Sequence, residues 1–80
     1  MRLPRGISGS QLVRSLRVLG YETSRQSGSH IRVTTSESGN HHVTVPNHDS
    51  LKLGTFASIL DDVAEHHRLT RVELLRRLGL

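Results

Sequence analysis

An α+β two-layer sandwich, with helices on one face of a short sheet and the other face open, is the fold this 80-residue sequence predicts. Three observations predict it. A capped helical stripe opens the chain, Leu12, Val13, Leu16 and Leu19. Two runs of strict alternation flank a glycine-containing turn in the middle. Two further helical stripes close the chain, the second behind its own capping sequence.

The first helix is predicted from about Ser8 to Leu19. Ser8-Gly9-Ser10-Gln11 fits a capping box, with a hydroxyl accepting from the backbone three residues on and Gln reaching back. Arg14 and Arg17 fall off the apolar stripe, and Gly20 reads as its stop. Tyr21 to Gln26 is the weakest of three predicted strands, and Ser27-Gly28-Ser29 breaks it. His30-Ile31-Arg32-Val33-Thr34-Thr35 turns Ile31 and Val33 to one face and His30, Arg32 and Thr34 to the other. Glu37 to Asn40 is a turn cluster. His42-Val43-Thr44-Val45 alternates again until Pro46, so the two runs form a hairpin. A second helix starts at Gly54 or Thr55 and buries Phe56, Ile59, Leu60 and Val63. Thr70-Arg71-Val72-Glu73 opens a short third helix carrying Leu74, Leu75 and Leu78, closed by Gly79. The reading is one domain over 1–80, with a core of about 6–64 and an extension over 65–80.

Composition narrows the chemistry. There is no cysteine, so disulfides, thiolate nucleophiles and cysteine zinc sites are excluded. Tyr21 and Phe56 are the only aromatic residues, so the core is small and aliphatic. No apolar run is long enough to cross a membrane, and the first residues lack the apolar stretch of a secretory signal. A cytoplasmic chain is therefore expected. The charge is lopsided: residues 1–36 carry a net +5 and residues 37–80 a net −1. A basic half on a small domain points to a polyanion, of which nucleic acid is the commonest.

His30 is the first candidate for chemistry. It follows Gly28-Ser29 and points by alternation onto the open face, with Arg25, Gln26 and Arg32 near it in sequence. An imidazole beside guanidinium groups suits a phosphate site, although an exposed strand histidine with no role fits the same position. His48 joins it according to the hairpin register. A five-residue turn, with facing numbers summing to 76, puts His30 opposite Pro46, whereas a three-residue turn, with a sum of 78, puts it opposite His48. In either register His48 lies near His30, provided the chain stays roughly extended past Pro46. Two imidazoles beside arginines supply a general base, a general acid and charge stabilisation for phosphoryl transfer. RNA needs little else, because its 2′-hydroxyl is a built-in nucleophile. His48 as a plain loop cap is the competing reading. His41-His42 and His66-His67 are adjacent pairs whose side chains diverge, and no metal-binding spacing is present, so no metal and no cofactor are expected. Asp61-Asp62 has no matching acid pair for a two-metal site.

The ordered set Ser8-Gly9, Leu12, Leu16, Leu19-Gly20-Tyr21, Arg25-Gln26, Gly28-Ser29-His30, Val43-Thr44-Val45-Pro46, His48, Leu51-Lys52, Gly54-Thr55 and Ile59-Leu60 resembles the HicA (YcfA-like) toxin family over about residues 6–64. The resemblance implies the α-β-β-β-α order of a double-stranded-RNA-binding domain, with an extra short C-terminal helix here. It implies the toxin of a type II toxin–antitoxin system, a ribosome-independent mRNA endonuclease that needs no metal. It also implies a HicB antitoxin as partner. The family's catalytic histidine falls on His30, within Gly28-Ser29-His30. Gly28 is then the small residue that leaves room, and His48 positions substrate or carries a second proton. Arg14, Arg17, Arg25, Arg32 and Lys52 are the candidates to hold RNA phosphates. The sequence departs from the family where an aromatic often follows Gly-Ser-His, and in the extension 65–80. That extension is available to pack on the core, to meet the antitoxin or to pair two copies in a homodimer.

Two other functions compete. A non-catalytic RNA-binding module of the same fold would read RNA by shape, but the usual lysine cluster is absent. A helix-turn-helix DNA binder would use the two C-terminal helices, yet the segment Glu65 to Leu69 between them is charged and lacks glycine.

Overall fold

The computed structural model describes residues 2–80, and Met1 lies outside them. Helix α1, Gly9–Leu16, begins where Ser8 Oγ accepts the Gln11 N–H at 3.0 Å. The return bond predicted from the Gln11 side chain is not made, so the box is half formed. The α-helix also ends sooner than its stripe. Arg17–Leu19 tighten into a 3₁₀ turn that closes at Gly20. Strands β1 (Glu22–Ser27), β2 (His30–Thr35) and β3 (His41–Pro46) follow, each antiparallel to the next in the order β1-β2-β3. β1 starts one residue later than predicted, because Tyr21 turns wholly into the core. Helix α2, Leu53–His67, starts one residue ahead of the predicted Gly54. It also runs to His67, so the link to α3, Arg71–Leu78, is three residues and not the predicted Glu65–Leu69. Thr70 and Glu73 make both halves of the second capping box.

The layers are those of an α+β sandwich in α-β-β-β-α order with one added C-terminal helix. Ile31, Val33, Val43 and Val45 are the buried face of the sheet. Leu12 and Leu16 of α1, Phe56, Leu60 and Val63 of α2, and Leu74 of α3 close over it in a single cluster. Thr35 is the one buried polar side chain among the described residues, and it is satisfied. It donates to the Leu19 carbonyl at 2.8 Å and accepts from the Glu37 N–H at 3.1 Å.

The β2–β3 register has Val33 opposite Val43 and His30 opposite Pro46. The five-residue turn is therefore the one formed, and the register that faces His30 with His48 is not. Between β1 and β2 the ladder slips by one. Thr23 faces Val33 and Arg25 faces Arg32, which leaves Ser24 as the extra residue of a bulge. The Ser24 hydroxyl fills the gap, donating to the Arg32 carbonyl at 3.3 Å and meeting Thr34 Oγ1 at 2.9 Å.

Gly9 fixes the helix layer against the sheet. Any Cβ there would overlap the Pro46 carbonyl oxygen and press on Asn47 Cα. The close approach lets the Gly9 N–H donate to the His48 carbonyl at 2.9 Å. Two neighbouring bonds tie the same stretch, Asn47 N–H to the Ser29 carbonyl at 2.6 Å and Leu51 N–H to the Ile7 carbonyl at 2.8 Å. The residues after β3 are thus held between the start of β2 and the start of α1.

Candidate functional site

The β1–β2 turn builds the site. Ser27 pairs with His30, so Gly28-Ser29 is a two-residue hairpin loop. Gly28 has φ +57° and Ser29 has no positive φ, the pattern of a type II′ turn, which takes glycine first. A Cβ at Gly28 would meet no protein atom within 4 Å. Backbone conformation is what this position demands of glycine, and the room it leaves opens to the surface. The tight turn delivers His30 to the start of the central strand, on the open face and exposed.

Beside His30 the sheet is slightly hollow. Arg25, Ser27, His30, Arg32 and Thr44 line a concavity of about 210 Å³. Cross-strand pairing makes the order plain. Arg25, Arg32 and Thr44 form one row across the three strands, and Ser27, His30 and Pro46 form the next. Neither arginine is in an ion pair: the ion pairs among the described residues are His41–Asp62 and Arg71–Asp61. A larger hollow of about 470 Å³ is lined by Arg2, Leu3, Arg5, Leu53 and Arg71. It holds no group able to exchange a proton near neutral pH. Hollows of about 350 and 360 Å³ do hold histidines, but each with a single arginine, so what sets the smaller one apart is an imidazole beside two arginines.

The other residues singled out in the sequence are spread around. Ser29 is fixed by the Asn47 N–H at its carbonyl. His48 is exposed but does not line the hollow, and its carbonyl is drawn toward α1 by Gly9. Arg14 and Arg17 are exposed on the helix layer, and Lys52 is the residue preceding α2. None of these three lines the hollow. Thr44 and Ser27 do, and neither was singled out. Thr44 was legible, since it stands between Val43 and Val45 and must face outward.

A second cluster lies at the opposite end of the sheet. The buried Tyr21 hydroxyl meets His41 Nδ1 at 2.7 Å and His67 Nε2 at 3.0 Å. His41 Nε2 reaches Asp62 Oδ1 at 3.1 Å, and the His41 and His66 rings stack with centroids 4.3 Å apart. His66 Nε2–H donates to the Glu37 and Gly39 carbonyls at 3.0 Å. A carboxylate only accepts, so His41 donates to Asp62 from Nε2; in the neutral imidazole Nδ1 then accepts the Tyr21 O–H. His67 Nε2–H then donates to the Tyr21 oxygen. The expected divergence fails for His66 and His67, whose rings meet edge to face with centroids 4.8 Å apart. His41 and His67 converge on the Tyr21 hydroxyl, and His66 packs against both rings.

Burial holds the His67 imidazole below its ordinary pKa, with smaller contributions from His66, His41 and Arg77, while Glu37 works the other way. Burial, then Asp62 and Glu37, pushes the Tyr21 phenol well above its ordinary value. In the window just below the ordinary imidazole pKa of about 6.5, the unfolded chain binds a proton at position 67 that the folded chain resists. Stability is therefore expected to fall as pH drops through that window. Denaturant melts across it check this, and His67→Gln should flatten the slope.

The family described as the HicA toxin of bacterial toxin–antitoxin systems matches residues 9–64. The chain belongs to the HicA toxin family. No curated protein and no solved structure matches it. The HicA span runs from the first residue of α1 through the whole sheet and most of α2, and so contains His30 and every residue of the hollow. Helix α3 lies beyond it. As a HicA toxin the protein implies an antitoxin partner. No helix of the described residues is long and apolar enough to cross a membrane.

Proposed function

We propose that this HicA toxin is an endoribonuclease that cleaves mRNA without a metal ion, with His30 as its catalytic residue. The observation that carries the reading is an exposed imidazole sharing one hollow with two arginines that have no acidic partner. Such a group supports transesterification. The 2′-oxygen attacks the adjacent phosphorus and loses its proton, the bond to the 5′-oxygen breaks, and that oxygen takes up a proton. The products are a 2′,3′-cyclic phosphate and a 5′-hydroxyl. His30 serves one of the two proton transfers, and Arg25 and Arg32 neutralise charge building on the phosphoryl oxygens. Arg14, Arg17 and Lys52 belong to a wider basic surface for the rest of the strand. His48 lies outside the hollow, so positioning of the flanking RNA suits it better than proton transfer. A HicB-like antitoxin is the partner that would silence the activity, and the whole chain acts as one HicA-like domain.

The test is incubation of the protein with labelled mRNA in EDTA. Fragments are expected, and 2′-deoxy substitution at the cut nucleotide should block the cut. Loss of cleavage in EDTA points to a metal route instead. Binding without fragments leaves a non-catalytic RNA-binding module.

A further inference from the structure

The hollow beside His30 has chemistry that says what it holds. Arg25 and Arg32 face each other directly across two strands. Like charges in that position destabilise a strand pair. Neither is relieved by a carboxylate, since the described ion pairs lie elsewhere. The local sequence also bends to keep the pair on one face. Tyr21 and Arg25 are four residues apart and in a regular strand would share a face. Tyr21 is fully buried, so a regular β1 would turn Arg25 inward. The bulge at Ser24 reconciles them: the register set by the Gly28 turn keeps Arg25 outward, and one extra residue lets Tyr21 go in. Ser24 holds the slip with its two hydroxyl contacts.

The lining has no tyrosine, phenylalanine or tryptophan to stack on a base: Tyr21 and Phe56 are both buried, and the one ring in the hollow is the His30 imidazole. Stacking on aromatic rings is the usual way a protein grips unpaired bases. What the hollow does offer is two guanidinium forks and two hydroxyls, those of Thr44 and Ser27. Those are donors for phosphoryl oxygens.

We infer that Arg25 and Arg32 clamp a single backbone phosphodiester between them, with Thr44 as a third donor, and that this subsite reads the backbone of a single strand rather than its bases. The inference rests on the function proposed above and adds the identity of the contacts. Arg25 and Arg32 act as one unit on one phosphate, and Ser24 is a positioning residue that acts through Arg25.

Binding of short 2′-O-methyl oligoribonucleotides tests it, because they lack the nucleophile and report affinity alone. Kd is measured against salt for the wild type, Arg25→Gln, Arg32→Gln, the double variant and Thr44→Val. Each arginine variant should lower the slope of log K against log salt by about 0.7, the value for one phosphate on a single strand. The double variant should lower it no further. Thr44→Val should weaken binding several-fold and leave the slope alone. Ser24→Ala should move the slope toward the Arg25→Gln value, and Ser24→Thr should restore it. Oligonucleotides of one length and different base content should bind within about threefold. A double variant that loses two phosphates of slope, an unchanged slope, or a strong base preference would overturn the inference. Thermal melts of the arginine variants give a second measurement, since removing one of two facing charges should leave the fold as stable or more so. The two proposals fail separately. A protein that binds in this pattern but never cuts RNA loses the nuclease reading and keeps the subsite, whereas one that cuts RNA without this pattern loses the subsite.

Discussion

His30→Ala is expected to abolish RNA cleavage and growth arrest while the protein still folds. A proton-transfer group is worth roughly 10²–10⁴ in rate, and a loss of that size is expected in fragment production from labelled mRNA. The structural cost is small. His30 is exposed and faces Pro46 across the ladder, and its imidazole has no hydrogen bond to another residue among the described ones. Substitutions at such surface positions usually change stability by less than about 0.5 kcal/mol. A melt superimposable on that of the wild type, with cleavage gone, separates chemistry from folding. Full cleavage by the variant would sink the catalytic assignment.

Leu74→Ala has the largest expected effect on stability. Leu74 is wholly buried although it lies beyond the matched family span. Its helix is fastened at the start by Arg71, whose guanidinium grips both carboxylate oxygens of Asp61 at 2.8 Å. That pair is exposed and contributes little, so the apolar contact carries the docking. Emptying a buried leucine site costs about 2–5 kcal/mol. A chain of this length has a total stability of roughly 4–12 kcal/mol. The urea midpoint should therefore fall steeply with an unchanged m-value. A midpoint like that of the wild type would make α3 an appendage rather than part of the core.

Much of the fold was legible because its signals are local. Ser8 and Thr70 announce helix starts, and His30–Thr35 alternates without a fault, so the face bearing His30 could be read directly. What could not be read depends on contacts across the chain. Glu22–Ser27 is polar on both faces, so nothing in its pattern marks the bulge at Ser24. Arg25 was placed beside His30 by proximity in sequence and not by geometry. His48 was expected near His30 if the chain continued extended past Pro46. The chain there is held by bonds from the Asn47 N–H to the Ser29 carbonyl and from the Gly9 N–H to the His48 carbonyl, and His48 is not among the residues lining the hollow. The histidine cluster was missed for the same reason, since Tyr21 meets partners 20 and 46 residues away.

The strand order has a consequence for motion. β2 is paired on both sides, while β1 has one free edge and all six residues exposed. His30 and Arg32 therefore ride on the part of the sheet that opens only with global unfolding, and Arg25 rides on a part that frays locally. Amide exchange should run fast along β1 and slow along β2. If the hollow takes a phosphate as proposed, Arg32 would meet it from the more rigid central strand and Arg25 from the edge strand.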